Sequence, residues 1–134
     1  MGGSVPNKFI FNKELDTAFL DELYDGDTVY AETVFSEFLQ DINPYWQQVQ
    51  LAYDREDIQV LKAAVHKCKT LFGYVGCTHV QQQFQFYENQ CTTEPTIAAL
   101  QTGFEHLMHS KEATRLIIEG EIRRLKLFNS STET

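Results

Sequence analysis

The stretch Asp57-Ile58-Gln59-Val60-Leu61-Lys62-Ala63-Ala64-Val65-His66-Lys67-Cys68-Lys69-Thr70-Leu71-Phe72-Gly73-Tyr74-Val75-Gly76 decides the reading of this chain. Ile58, Leu61, Val65, Cys68, Phe72 and Val75 recur at spacings 3-4-3-4-3. That spacing is one seam of a helix buried along one side of a bundle. Asp57, with Asp54 before it, offers an N-terminal cap and negative charge at the positive end of the helix dipole. Gly76 stops the helix. At about 100° per residue the seam centres between Val65 and Cys68, and His66 falls roughly 140° away, on the solvent side. Lys62 and Lys69 flank His66 one turn back and one turn forward. Gly73 shares its face, and Lys67 and Thr70 border the stripe.

Working towards the N-terminus, the spacing predicts a helix over about Thr28 to Tyr53, with Val34, Phe35, Phe38, Leu39, Ile42, Trp46, Val49 and Tyr53 inward. Pro44 lies inside it and is expected to kink it or remove a hydrogen bond. Asp25-Gly26-Asp27 breaks the chain before this helix. A short helix over about Asp16 to Tyr24 precedes the break, with Phe19, Leu20 and Leu23 on one face. Towards the C-terminus, Thr78 and Gln81 suggest a capping box for a helix that ends near Cys91, with Val80, Phe84 and Tyr87 inward. Thr93-Glu94-Pro95 opens a last long helix whose core stripe is Ile97, Leu100, Phe104, Leu107, Leu116, Ile117 and Leu125. Strand alternation and hairpin turns are absent.

The fold class expected is therefore all-α: an up-and-down antiparallel four-helix bundle with a short additional N-terminal helix. Residues 1–15 read as an N-terminal tail, 16–128 as the bundle and 129–134 as a flexible C-terminal tail.

The chain has 134 residues, enough for one core without staples, and 43% apolar with 22% charged residues is an ordinary globular composition. A net charge of -8 argues against nucleic acid as a partner. No apolar run approaches the roughly 18 residues of a membrane span. The start, Met1-Gly2-Gly3-Ser4-Val5-Pro6, carries no signal-peptide or myristoylation pattern. Cys68, Cys77 and Cys91 lack CxxC spacing and read as reduced packing residues, so the location expected is cytoplasmic.

An exposed imidazole between two ammonium groups is an unusual surface on an acidic chain. Neutral imidazole is a nucleophile near pH 7, lysines neutralise phosphate oxygens, and a glycine lets another molecule approach the helix. The Thr70 hydroxyl is a further donor to a phosphate oxygen.

The segment His66-Lys67-Cys68-Lys69-Thr70-Leu71-Phe72-Gly73-Tyr74-Val75-Gly76 resembles the signature of histidine-containing phosphotransfer (HPt) domains. That signature is His-x-x-Lys-Gly, then small residues and a Gly ten positions after the His; His66, Lys69 and Gly76 match it. The run from Leu20 to Tyr24 resembles the family's lead-in, and Glu88 falls where the family often has an acidic residue. Thr70 stands in the usual glycine position, and Leu71 and Phe72 replace smaller residues. The resemblance covers about Asp16 to Leu127. It implies a phosphocarrier, not an enzyme in its own right, with His66 as phosphoryl acceptor and donor and Lys69 as electrostatic support. Lys62, Lys67, Thr70 and Gly73 would form the partner-binding surface. The implied partners are response-regulator receiver domains or a hybrid histidine kinase. Magnesium belongs to the receiver, so no cofactor is expected on this chain. No GxxxxGK[ST] loop or other glycine-rich phosphate cradle appears, so no ATP site is expected. A monomer is expected for a carrier that exchanges partners.

Three other readings compete. One is a docking module that binds a receiver or kinase without accepting phosphate. Another is a metal-binding bundle using His79, His106 and His109, weakened by the absence of a matched ligand set. The third is a structural bundle fragment of a larger kinase. Glu88 reads as structural rather than catalytic.

Overall fold

The computed structural model describes residues 8–132. The outermost parts of the two expected tails, residues 1–7 and 133–134, lie outside the described residues. The helices are α1 (Thr17–Tyr24), α2 (Thr28–Asp54), α3 (Ile58–Tyr74), α4 (Thr78–Thr93) and α5 (Gln101–Thr132), the last entered through one 3₁₀ turn at Ala98–Leu100. No strand occurs among the described residues, so the chain is all-α.

Aspartates start the first three helices. Asp16, Asp27 and Asp57 each accept a hydrogen bond from the backbone N–H three residues on, at 3.1, 3.0 and 3.1 Å. These bonds satisfy otherwise unpaired first-turn donors. The capping box expected at Thr78 does not form. Cys77 takes the cap position without a side-chain bond, and the Thr78 hydroxyl donates to Asp16 Oδ2 at 3.1 Å instead. α2 runs unbroken through Pro44, which removes one backbone hydrogen bond as expected. Pro44 and Gln40 are both exposed, so the carbonyl that loses its N–H partner faces water. Thr93-Glu94-Pro95 does not open the last helix; the chain stays irregular until the 3₁₀ turn.

Cross-links fix the antiparallel order. His66 pairs with Glu88, Lys69 with Gln85, and Gly73 lies under Gln81, so α3 and α4 run in opposite directions with residue numbers summing to 154. Phe104 stacks on Tyr53 and Trp46, while Asn129 reaches Thr28 and Glu32, so α5 runs antiparallel to α2. α3 packs between α2 and α4, and α5 closes the ring against α2 and α4. α5 therefore sits diagonally across from α3.

The core is one cluster in which Phe35, Phe72, Phe84 and Tyr87 are essentially inaccessible. Burial of this kind contributes roughly 25 cal/mol per Å². The expected core faces need two corrections. In α1, Leu20 and Tyr24 are buried while Phe19 and Leu23 are half exposed. In α5, Ile118 and Ile122 are buried and Leu116 faces solvent.

Both expected tails also contribute packing. Phe9, Phe11 and Leu15 are buried, and the Asn12 N–H donates to the buried Glu121 at 2.9 Å. At the other end α5 continues through Thr132, with Asn129 buried and bonded to α2.

Candidate functional site around His66

α3 holds His66 on its outer face because Val65 and Cys68 are pulled into the core. The imidazole is 59% exposed. Its Nδ1 lies 3.1 and 3.2 Å from the two carboxylate oxygens of Glu88 on α4. An ionised carboxylate only accepts, so in this pair Nδ1 carries the proton and donates it. Nε2 is then the ring nitrogen with a free lone pair, and among the described residues it has no hydrogen-bond partner.

Lys69 is also turned towards α4. Its ammonium donates to Glu88 Oε1 at 3.0 Å and to Gln85 Oε1 at 2.5 Å, and stands 3.4 Å from His66 Nδ1. Its side chain is only 13% exposed. Burial pushes the Glu88 carboxyl up, but hydrogen bonds from Lys69 and His66 outweigh it and hold the carboxyl below its usual range. Glu88 is thus an anion that orients one imidazole and anchors one ammonium.

The remaining sequence-derived residues separate. Lys67 and Thr70 are exposed beside His66, and Lys62 is half-buried one turn back. The Thr70 hydroxyl donates to the Lys67 carbonyl at 2.9 Å, so its proton is already committed. Gly73 does not open the helix surface as expected: a Cβ there would stand 3.0 Å from the Gln81 amide, which lies across it. A small residue at position 73 lets α4 approach α3.

Sequence reasoning missed the contact between Glu88 and His66. Its signal was present: folding α3 back on α4 about Cys77, midway between 66 and 88, sets the two residues opposite each other. Gln85 follows from the same register, opposite Lys69.

His79, His106 and His109 all line one groove of about 680 Å³ between α4 and α5. Among the described residues no group of three or more His, Cys, Asp or Glu side chains is placed to hold a metal ion. Burial pushes the thiols of Cys68, Cys77 and Cys91 up to about 12, 11 and 11, so all three stay protonated at neutral pH. No described helix is long and apolar enough to cross a membrane.

No family model, curated protein or solved structure matches the chain.

Proposed function

We propose that this chain is a histidine phosphocarrier that relays a phosphoryl group between receiver-domain aspartates, with His66 Nε2 as the acceptor and donor atom. The observation that carries the reading is the exposed imidazole of His66, with Nδ1 held by Glu88 and Nε2 without a hydrogen-bond partner among the described residues.

The chemistry follows from that arrangement. Nε2 attacks the phosphorus of an aspartyl phosphate. A P–N bond forms as the P–O bond to the carboxylate breaks, and the aspartate leaves as a free carboxylate. The ring gains positive charge while Nδ1 keeps its proton, and Glu88 stabilises that charge from 3.1 Å. The reverse step returns the phosphoryl group to a second aspartate. Magnesium and the aspartyl pocket come from the receiver. Lys69 sits within 3.4 Å of the ring and adds positive potential on the α4 side. Lys62 and Lys67 meet the receiver's acidic rim.

Apolar contact for such a partner is available nearby. α1 crosses the end of α3, where the Asp16 N–H donates to the Gly76 carbonyl and the Tyr24 hydroxyl donates to the Tyr74 carbonyl. Phe19 and Leu23 on α1 and Tyr74 on α3 are exposed there. The three free, buried cysteines suit a reducing cytoplasmic setting.

The test is transfer from phosphorylated receiver domains, with magnesium and without ATP, to the wild-type chain and to His66→Gln. Acid-labile label on the wild type alone is the expected result. A wild-type chain that binds receivers but takes no label would replace this reading with the docking module.

A further inference from the structure

The outer face of α5 carries exposed leucines that no other described residue covers. Leu116 is 57% exposed and Leu127 73%; Ile10, which lines a groove with Leu127, is 70% exposed. Leu116, Gly120, Arg123 and Leu127 follow one another at spacings of 4, 3 and 4. That spacing makes a straight seam along three turns, the pattern by which helices pair.

Gly120 is the unusual member. Glycine weakens a helix interior, and the other two glycines inside helices have a reason within the chain. A Cβ at Gly73 would stand 3.0 Å from Gln81, and one at Gly103 would stand 2.7 Å from Tyr87. At Gly120 the nearest atom is the far end of the Arg123 side chain, at 3.7 Å. The bundle itself does not require glycine there, and the gap leaves room for a body approaching from outside.

The charges along the stripe complement one another when its direction is reversed. Five of the 11 Lys and Arg residues fall between 111 and 126, in a chain of net charge -8, together with Glu112, Glu119 and Glu121. Glu119, which Arg115 already holds at 2.7 Å, and Lys126 are seven residues apart and flank the same side of the seam. Lys126 and Arg123 are exposed and make no ion pair among the described residues.

We propose that two copies of this chain pair through this stripe, antiparallel, about a two-fold axis passing between Glu121 and Ile122. In that register Leu116 of each copy meets Leu127 of the other, Arg123 lies opposite Gly120, and Glu119 faces Lys126. Each contact occurs twice, as a two-fold interface requires. Parallel pairing would instead set Arg123 against Arg123. A purely acidic foreign helix would meet Glu112 and Glu119. Because α5 lies diagonally across the bundle from α3, both His66 faces stay open in such a pair. The inference rests on α5 alone, not on the phosphocarrier reading, and departs from the monomer expected for a carrier.

The experiment is sedimentation equilibrium on the full chain from about 10 µM to about 1 mM, the range expected for a small interface. The mass should rise from one chain towards two. Leu127→Glu and Lys126→Glu should each weaken association at least tenfold. The double variant Glu119→Lys/Lys126→Glu should recover most of what Lys126→Glu loses. Helical circular dichroism checks folding, which an exposed site such as Leu127 should leave intact. A wild-type chain monomeric at 1 mM overturns the proposal, as does a folded Leu127→Glu variant that associates like wild type. Failure of the double charge reversal to recover association overturns the antiparallel register.

Discussion

The Glu88 carboxylate stands 3.1 Å from Nδ1 of His66, across 22 residues of sequence, and the same carboxylate anchors the ammonium of Lys69. One anion therefore decides which ring nitrogen holds the proton and where the nearest cation sits. Fixing a histidine through its second nitrogen is how proteins commonly set the tautomer of a reactive imidazole. Glu88→Gln keeps an oxygen that accepts from Nδ1–H but loses the charge. Glu88→Ala loses both. In the proposed relay, phosphoryl transfer to His66 should slow by roughly 10- to 100-fold in the alanine variant and less in the glutamine variant. Nitrogen NMR of the imidazole should show Nε2 protonation rising in Glu88→Ala. Equal rates in wild type and Glu88→Ala would remove Glu88 from the mechanism.

The same carboxyl gives a pH dependence of stability. Glu88 is held below its ordinary value of 4.5 because bonds from Lys69 and His66 outweigh its burial. The unfolded chain then binds this proton more tightly than the folded one, so stability rises with pH across the window. The contribution is complete above the unfolded value and is lost as pH falls through the lower folded value. The difference in Tm between wild type and Glu88→Gln should shrink as pH falls through the carboxyl range. A gap that stays unchanged down to pH 3 would contradict this account.

The sequence made the inner faces of α2, α3 and α4 readable because apolar residues mark nearly every buried position there. α5 was harder. Its seam runs Phe104, Leu107, Lys111, Thr114, Ile118, Glu121 or Ile122, Leu125 and Asn129, so polar side chains occupy several inward positions. Lys111 lies under its own packing, with its ammonium 5.1 Å from the Trp46 ring centre. Thr114 donates to the Ser110 carbonyl, and Asn129 bonds to α2. With three consecutive apolar residues at Leu116, Ile117 and Ile118, periodicity alone selected Leu116 and Ile117 and passed over the fully buried Ile118. At the site, His66 was legible as an exposed residue on a patterned helix. Its partner was not, since the contact depends on the register of two helices rather than on spacing within one.

Gly76 joins the end of α3 to α1. Its φ is +74°, and a Cβ would stand 2.7 Å from Leu20 Cδ1. Gly76→Ala therefore adds a left-handed backbone strain of roughly 1–3 kcal/mol to a clash with a fully buried leucine. Tm should fall on the order of 10 °C. Gly26→Ala is the control. Its φ is +80° but nothing lies within 4 Å of the added Cβ, so only the backbone strain applies. Equal losses at the two sites would show that the contact with Leu20 contributes nothing.

The segment before α1 is held by a polar latch on α5. Glu121, only 1% exposed, accepts the Asn12 N–H and pairs with Arg124. Arg124 in turn donates to the Ile10 carbonyl at 2.7 Å and covers the Phe9 ring at 4.7 Å. Phe9 and Phe11 then pack into the core beside Phe128 and Phe35. Glu121→Ala leaves the Asn12 donor without its acceptor and frees Arg124, a loss of roughly 1–3 kcal/mol. Glu121→Gln keeps an acceptor for Asn12 and should lose less. The loss should also be local. Hydrogen exchange at Asn12 and at the following amides should accelerate in Glu121→Ala before protection in α3 changes, because only the segment's ties are cut. Asn12 protected equally in wild type and Glu121→Ala would mean that Phe9 and Phe11 alone hold the segment.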